Sequence, residues 1–274
     1  MKKTVLFGGS GFLAQALIPR LKGKILVVAR SEKGLVELKE KFPHIEIQTG
    51  DICDIWTVKK AMQGATDIYL LAASKHVGIA EIDVKACVKT NVIGALNVIE
   101  ESLVSKPKLL VFISTDKAQR VSGVYGATKL LGERLMQEAE RMNKKTKYRT
   151  VLYGNILYST GSVLCKWKEL IQQGKAVTVT NPEATRFFWT VDQAVDLIFE
   201  AIKKGTAKPY KPKVMKAMTI GDLLDAMIAK YATSQVKVKE IGLQKGENMH
   251  ESLGDDLDSS TAPRYTLKQI KNLI

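Results

Sequence analysis

Short unbroken apolar runs recur along the first 155 positions, each followed by a stretch in which apolar residues return every three or four places. KTVLF at 3–7, KILVVA at 24–29, IEIQ at 45–48, DIYLLA at 67–72, KLLVFIS at 108–114 and YRTVLY at 148–153 predict strands. Between them, FLAQALIPRL from Phe12, the charged stretch 32–41, and residues 54–63, 83–105 and 122–142 predict helices. Continuous apolar strands alternating with helices predict an α/β fold, a doubly wound parallel sheet of Rossmann type. Beyond 155 the pattern loosens. Helices are predicted at 162–173 and 190–203, and the basic, Pro-containing stretch 203–216 reads as a loop into a short strand. TIGDLLDAMIAKY (219–231) is an amphipathic helix with a Thr cap. The organisation that follows is a Rossmann domain over 1–155, with 187–203 returning to it, and a small α+β C-terminal lobe from 156–186 and 204–274.

Composition narrows the class. Hydrophobic residues are 45% and charged residues 26% of 274, which is globular rather than disordered or membrane-spanning. No apolar run approaches the roughly 18 residues of a membrane span. Lys2 and Lys3 before an apolar stretch imitate a secretion signal, but Gly8, Gly9, Ser10 and Gly11 interrupt it. Cys53, Cys87 and Cys165 are too few and too far apart for a disulfide framework or a metal site, so a reducing cytoplasm is expected and no metal. The net charge of +14 leaves nucleic acid, an anionic membrane or an anionic small molecule open. No nucleic-acid-binding module is present, so neither nucleic acid nor membrane is expected as a partner.

The glycines supply a better candidate. Gly8-Gly9-Ser10-Gly11-Phe12-Leu13-Ala14 joins the first strand to the first helix with G-x-x-G-x-x-A spacing. Glycine permits a tight turn close to a pyrophosphate, and the helix start supplies free N–H groups and partial positive charge. Gly8, Ser10, Gly11, Phe12 and Leu13 are thus candidate dinucleotide-binding residues. The second strand ends at Arg30-Ser31 rather than at a carboxylate. Arg30 is either a solvated strand end or a partner for a 2′-phosphate, which favours NADP over NAD. Asp51, followed by Ile52, is either an adenine contact or a helix cap.

Ser114-Thr115-Asp116-Lys117 closes the fifth strand, at the edge where open α/β sheets bind ligands. Tyr125 and Lys129 follow at i and i+4 on the next helix and share a face. An ammonium beside a phenol lowers its pKa by roughly 1–3 units, which would make Tyr125 a base toward a substrate alcohol.

These residues resemble the extended short-chain dehydrogenase/reductases, and further segments resemble one subgroup closely. Ala72-Ala73-Ser74-Lys75-His76-Val77, Ile79-Ala80-Glu81 and Lys89-Thr90-Asn91 look like the AALKHV-x-IAE…KTN segment of inverting UDP-N-acetylglucosamine 4,6-dehydratases, which open pseudaminic-acid-type pathways. STDKA (114–118), YGATKLLGE (125–133), Tyr153-Gly154-Asn155, Gly161-Ser162-Val163, Thr185-Arg186-Phe187 and Gly246-Glu247 with His250-Glu251 follow in the same order. The resemblance implies that Tyr125 with Lys129 oxidises the sugar at C4, using a tightly bound, recycled NAD(P). It implies that Lys117 takes the C5 proton, that Asp116 protonates the leaving C6 hydroxyl, and that C5 is reprotonated with inversion. Thr115 joins this catalytic set. Ala72, Ala73, Lys75, Asn91 and Tyr153 are implied at the cofactor, Asn91 by organising a water. Lys75, His76, Asn155, Ser162, Val163, Arg186, Lys245 and Glu251 are implied at the UDP-sugar, although His76 is also readable as a structural histidine. A dimer or hexamer is the implied assembly, paired through the helices at 83–105 and 122–142.

The departures cluster on the substrate side. Leu152 and Gln244 stand where the family has arginine, and Asn248 where it has lysine, with Lys245 a candidate to compensate. The chain is also shorter than typical members, as if the substrate lobe were trimmed. These changes leave a second reading open, a homologue that acts only on the 5,6-unsaturated UDP-sugar. A non-catalytic dinucleotide-binding protein would be expected to lose the Tyr–Lys pair.

Overall fold

The computed structural model describes residues 2–254 and 257–274. Six strands follow one another as expected: β1 Lys3–Phe7, β2 Lys24–Ala29, β3 Glu46–Thr49, β4 Asp67–Leu70, β5 Leu109–Thr115 and β6 Lys147–Tyr153. All pair in parallel in the order β3-β2-β1-β4-β5-β6, so the order reverses between β1 and β4. A crevice outside the strand ends forms at such a reversal.

Alternation along each strand feeds two cores although the runs are uniformly apolar. Leu6 faces a core with Val27, Val111 and the helix Val191–Lys204, while Val5 and Phe7 face a second core with Phe112, Val98 and Met136. That helix begins at a reciprocal cap between Thr190 and Gln193. A third core, around Trp167, Phe188, Leu223 and Ile270, builds the lobe. The lobe carries β7 Asn155–Ile156, β8 Val177–Val179, β9 Thr185–Trp189, β11 Ala217–Thr219 and β12 Val238–Glu240, with β10 Pro209–Tyr210 interposed in the chain. β9 lies between β7 and β11, and β8 pairs with β12.

Three differences from the sequence expectation matter. β10 pairs in parallel with Thr150–Val151 as the seventh strand of the large sheet, so the segment drawn as lobe from 204 returns to the first domain once. The helix expected at 83–105 is broken into Val84–Val88, a π-helical turn Lys89–Gly94 and Ala95–Ser105. A further helix, Val77–Ile82, precedes it. Among the described residues, no helix is long and apolar enough to cross a membrane.

Candidate active site

A cavity of about 780 Å³ opens at the carboxyl ends of β1, β2, β4, β5 and β6. Gly8, at φ +79°, starts its floor; a Cβ there would stand 2.5 Å from the Ala72 backbone nitrogen. Gly8 is therefore closed to a side chain; its amide and that of Gly9 turn back to Val28 O, and the Gly11 amide to Gly8 O, which sets the tight turn at the cavity floor. The following helix, Phe12–Leu17, has neither a side-chain cap nor an acidic residue in its first turn. These features suit a pyrophosphate, and the residues present fit a dinucleotide. Ser10, Gly11, Phe12, Leu13, Ala72, Ala73 and Ile52 also line the cavity. At its β2 end, Arg30 Nη1 lies 3.9 Å from Asp51 Oδ2. The other Asp51 oxygen accepts the Cys53 amide at 2.9 Å. Burial raises the Asp51 pKa, but the Cys53 hydrogen bonds and Arg30 outweigh it and hold the carboxyl low.

The opposite wall carries Thr115, Lys117, Tyr125, Lys129, Tyr153 and Asn155. Their relations differ from the sequence reading in one respect. Burial pushes the Tyr125 phenol up to about 12, and the cation that pulls it back is Lys117, helped by a Thr115 hydrogen bond. Lys129 is not that cation. Burial lowers it to about 7, against the pull of Glu133, and its Nζ sits 4.0 Å from the Phe112 ring centroid. Glu133 is itself raised by burial, and its Oε1 accepts the Ser114 hydroxyl at 2.5 Å. The i,i+4 spacing does bring Tyr125 and Lys129 to one wall, but the expected lowering of the phenol by Lys129 is not found.

Behind this wall lies a buried ionic layer. Lys117 Nζ is 3.1 Å from Asp116 Oδ1 and 3.3 Å from Glu251 Oε1. Asp116 also accepts the Thr115 hydroxyl at 3.0 Å and is fully buried. Burial works against the Lys117 charge, yet the two carboxylates prevail and hold it above the ordinary lysine range. The group that meets the cavity is thus Lys117. Asp116, which was expected to protonate the leaving C6 hydroxyl, stands behind it, fully buried and outside the cavity lining.

Four other expected contacts also lie outside the cavity lining. Asn91 is buried, and its Nδ2 donates to Ser74 O at 2.9 Å and Thr128 Oγ1 at 3.0 Å. Its Oδ1 accepts the Ser74 amide at 2.7 Å, so it clamps the β4 exit to the Tyr125 helix. Arg186 Nη1 donates to the carbonyls of Thr185 and Met249. Glu251 is fully buried beside Lys117 and Arg186. Lys245 is exposed and faces Glu81 at 3.8 Å.

Lys75, His76, Ser162 and Val163 do line the cavity, on its lobe side. Lys75 Nζ donates to Thr160 O at 2.7 Å, and burial lowers its pKa. Ser162 is the N-cap of the helix Val163–Gln172. The Tyr153 hydroxyl donates to Ala194 O, so its one proton is already committed within the protein. Among the departures, Leu152 is a core residue and Gln244 is exposed. Sequence reasoning passed over Glu133 and Glu81. Glu81 accepts the Val124 amide at 2.6 Å and so caps the Tyr125 helix from another element; its place in the IAE motif was the available signal. Among the described residues, no group of His, Cys, Asp and Glu could hold a metal ion.

A family model described as "Polysaccharide biosynthesis protein" matches residues 7–271. The chain is 33% identical over 272 residues to the UDP-N-acetylglucosamine 4,6-dehydratase (inverting) of Campylobacter jejuni, covering 94% of this chain and 79% of that protein. It is 34% identical over 266 residues to an uncharacterized membrane protein of Methanocaldococcus jannaschii, covering 92% and 80%. Among solved structures, Pen from Bacillus thuringiensis superposes with a TM-score of 0.95 at 29% identity, covering 100% of this chain and 96% of that one.

Proposed function

The chain belongs to the polysaccharide biosynthesis protein family, as a nucleotide-sugar enzyme of the extended short-chain dehydrogenase/reductase type, and we propose that it converts UDP-GlcNAc to a C5-inverted UDP-4-keto-6-deoxy-N-acetylhexosamine. One observation carries this reading: a second acid–base pair, Asp116 and Lys117, lies beside Tyr125. Oxidation at C4 needs only a base at the hydroxyl, whereas elimination across C5 and C6 needs a further base and acid. The dinucleotide, when bound, would supply the acceptor and donor of hydride. Tyr125 first loses its phenol proton to solvent through the open cavity and then, as a phenolate stabilised by the Lys117 ammonium, takes the C4 hydroxyl proton. At rest Lys117 is an ammonium. Transfer of one proton from Nζ to Asp116 Oδ1, 3.1 Å away, yields an amine for the C5 proton and a carboxylic acid for the departing hydroxyl. Because Asp116 lies behind the wall, the acid proton reaches C6 through the Thr115 hydroxyl, which gives its proton to the departing oxygen and takes that of Asp116.

On the cofactor side, Gly8, Ser10 and Gly11 cradle the pyrophosphate in this reading, and Arg30 with Ser31 selects NADP. Lys75, His76, Asn155, Ser162 and Val163 take the UDP-sugar. Exposed apolar residues on the helices at 84–105 and 124–142, Val104 and Leu131 among them, support a homo-oligomer, and the free cysteines support a cytoplasmic enzyme.

The deciding experiment incubates the protein with UDP-GlcNAc in heavy water and reads the product by NMR. Conversion with deuterium at C5 is expected, and Asp116→Asn with Lys117→Ala should abolish it while substrate still binds. Full activity in that double variant would overturn the assigned roles. The second reading, action on the 5,6-unsaturated UDP-sugar alone, has one observation in its favour: Gln244, neutral where the family has arginine, and Lys245, which faces Glu81, are both exposed and outside the cavity lining. Turnover of the unsaturated sugar without turnover of UDP-GlcNAc would select it.

A further inference from the structure

Lys117 is gripped from two directions. Asp116 precedes it in sequence, but Glu251 arrives from the C-terminal lobe, where its placement is closely determined. The Glu251 amide donates to Ser259 Oγ at 2.8 Å, and the Ser259 amide donates to Glu251 O at 2.8 Å. The neighbouring His250 is bridged to Thr185 of β9, with its Nδ1 2.8 Å from the Thr185 hydroxyl. Asn248 Nδ2 donates to Glu251 Oε2 at 3.2 Å, and Arg186 Nε stands 3.9 Å from Oε1. A fully buried carboxylate is costly unless paired, and this one has been brought to the back of a cavity-lining lysine.

We propose that Glu251 is a positioning residue of the active site, by which the lobe fixes the place of the Lys117 amine and keeps it in the ammonium state at rest. The charged groups facing Lys117 are Asp116 from its own segment, Glu251 and Arg186 from the lobe, and the phenol of Tyr125. The two carboxylates favour the ammonium and Arg186 opposes it. Lys117 is also the main cation acting on Tyr125, so the lobe reaches the oxidising tyrosine through one lysine. Release of the Nζ proton to Asp116 is then a step that Glu251 resists until a substrate alters the balance. This inference deepens the acid–base role proposed above and rests on it for its catalytic meaning, but not for its physical content.

Competitive labelling of the full-length protein with acetic anhydride reads that content without turnover. Reactivity of Lys117 is measured by mass spectrometry against exposed lysines. Removal of one of two neighbouring carboxylates lowers a lysine pKa by about one unit or more. Glu251→Gln is therefore expected to raise Lys117 reactivity at pH 9 about tenfold or more, and Arg186→Gln to lower it. Asn248→Lys, at a half-buried site, places a competing cation beside Glu251 and should raise reactivity even if Glu251→Gln does not fold. A purely structural Glu251 would cost stability without changing Lys117 reactivity in the folded variants, and that result would overturn the inference. With turnover established, the acid limb of kcat should move to lower pH in Glu251→Gln. A labelling change without any turnover of UDP-sugars would instead leave the inference standing and refute the proposed reaction.

Discussion

Lys129 offers a test of the site's electrostatics that needs no substrate. It is almost fully buried, lies against the Phe112 ring, and titrates near 7 instead of the ordinary 10.5. The unfolded chain holds the Lys129 proton up to about pH 10.5, whereas the folded chain releases it above about 7. Between those values the unfolded state binds more protons, so stability rises with pH. A displacement of that size corresponds to about 5 kcal/mol, at 1.36 kcal/mol per pH unit. Below pH 7 both states are protonated and the full penalty for a buried ammonium is present; it disappears progressively toward pH 10.5. Lys129→Met removes the titrating group and keeps much of the volume. The stability advantage of this variant over the native chain should be largest at pH 6, up to about 5 kcal/mol, and shrink by about 1.4 kcal/mol per unit between pH 7 and 10. Urea unfolding at four or five pH values, compared pairwise, reads the difference directly and cancels groups that titrate alike in both proteins. A difference that stays flat across this range would refute the claim that burial lowers Lys129 to about 7, and would return it to the role of the cation that lowers Tyr125.

Asn91→Leu should destabilise the fold by about 2–4 kcal/mol, because Ser74 loses a partner at both backbone groups and the Thr128 hydroxyl loses a donor; urea midpoints would check it, and a loss below 0.5 kcal/mol would exclude the clamp. Arg30→Ala should abolish a preference for NADP+ over NAD+ in titration calorimetry, at a cost of about tenfold to hundredfold in NADP+ affinity and little in NAD+ affinity. Equal weakening of both cofactors would instead make Arg30 a general phosphate contact.

What could be read in advance was local in sequence. The glycine turn was legible because the close approach of Gly8 to Ala72 tolerates no side chain, and such a constraint leaves glycine in the sequence. Tyr125 and Lys129 were legible because a helix places i and i+4 together whatever surrounds them. What surrounds them was not: the charge of Lys129 depends on Phe112 and on its depth, which spacing does not encode. The broken helix at 84–105 escaped for a related reason. Its apolar periodicity continues through the π-helical turn, and the Asn91 contacts within that turn, to Ser74 and Thr128, span 17 and 37 residues. The short helix Val77–Ile82 exposes Ile79 and Ile82, so it lacks the one-sided pattern that would have announced it. Two-residue β10 has no periodicity at all. The partnership of Lys117 with Glu251 lies furthest from sequence reach, since the residues stand 134 positions apart and meet only because β9 and the Ser259 hydroxyl fix the lobe segment behind the sheet edge. A motif can therefore name the residues that touch a substrate, while the groups that set their protonation come from whichever distant segment the fold packs behind them.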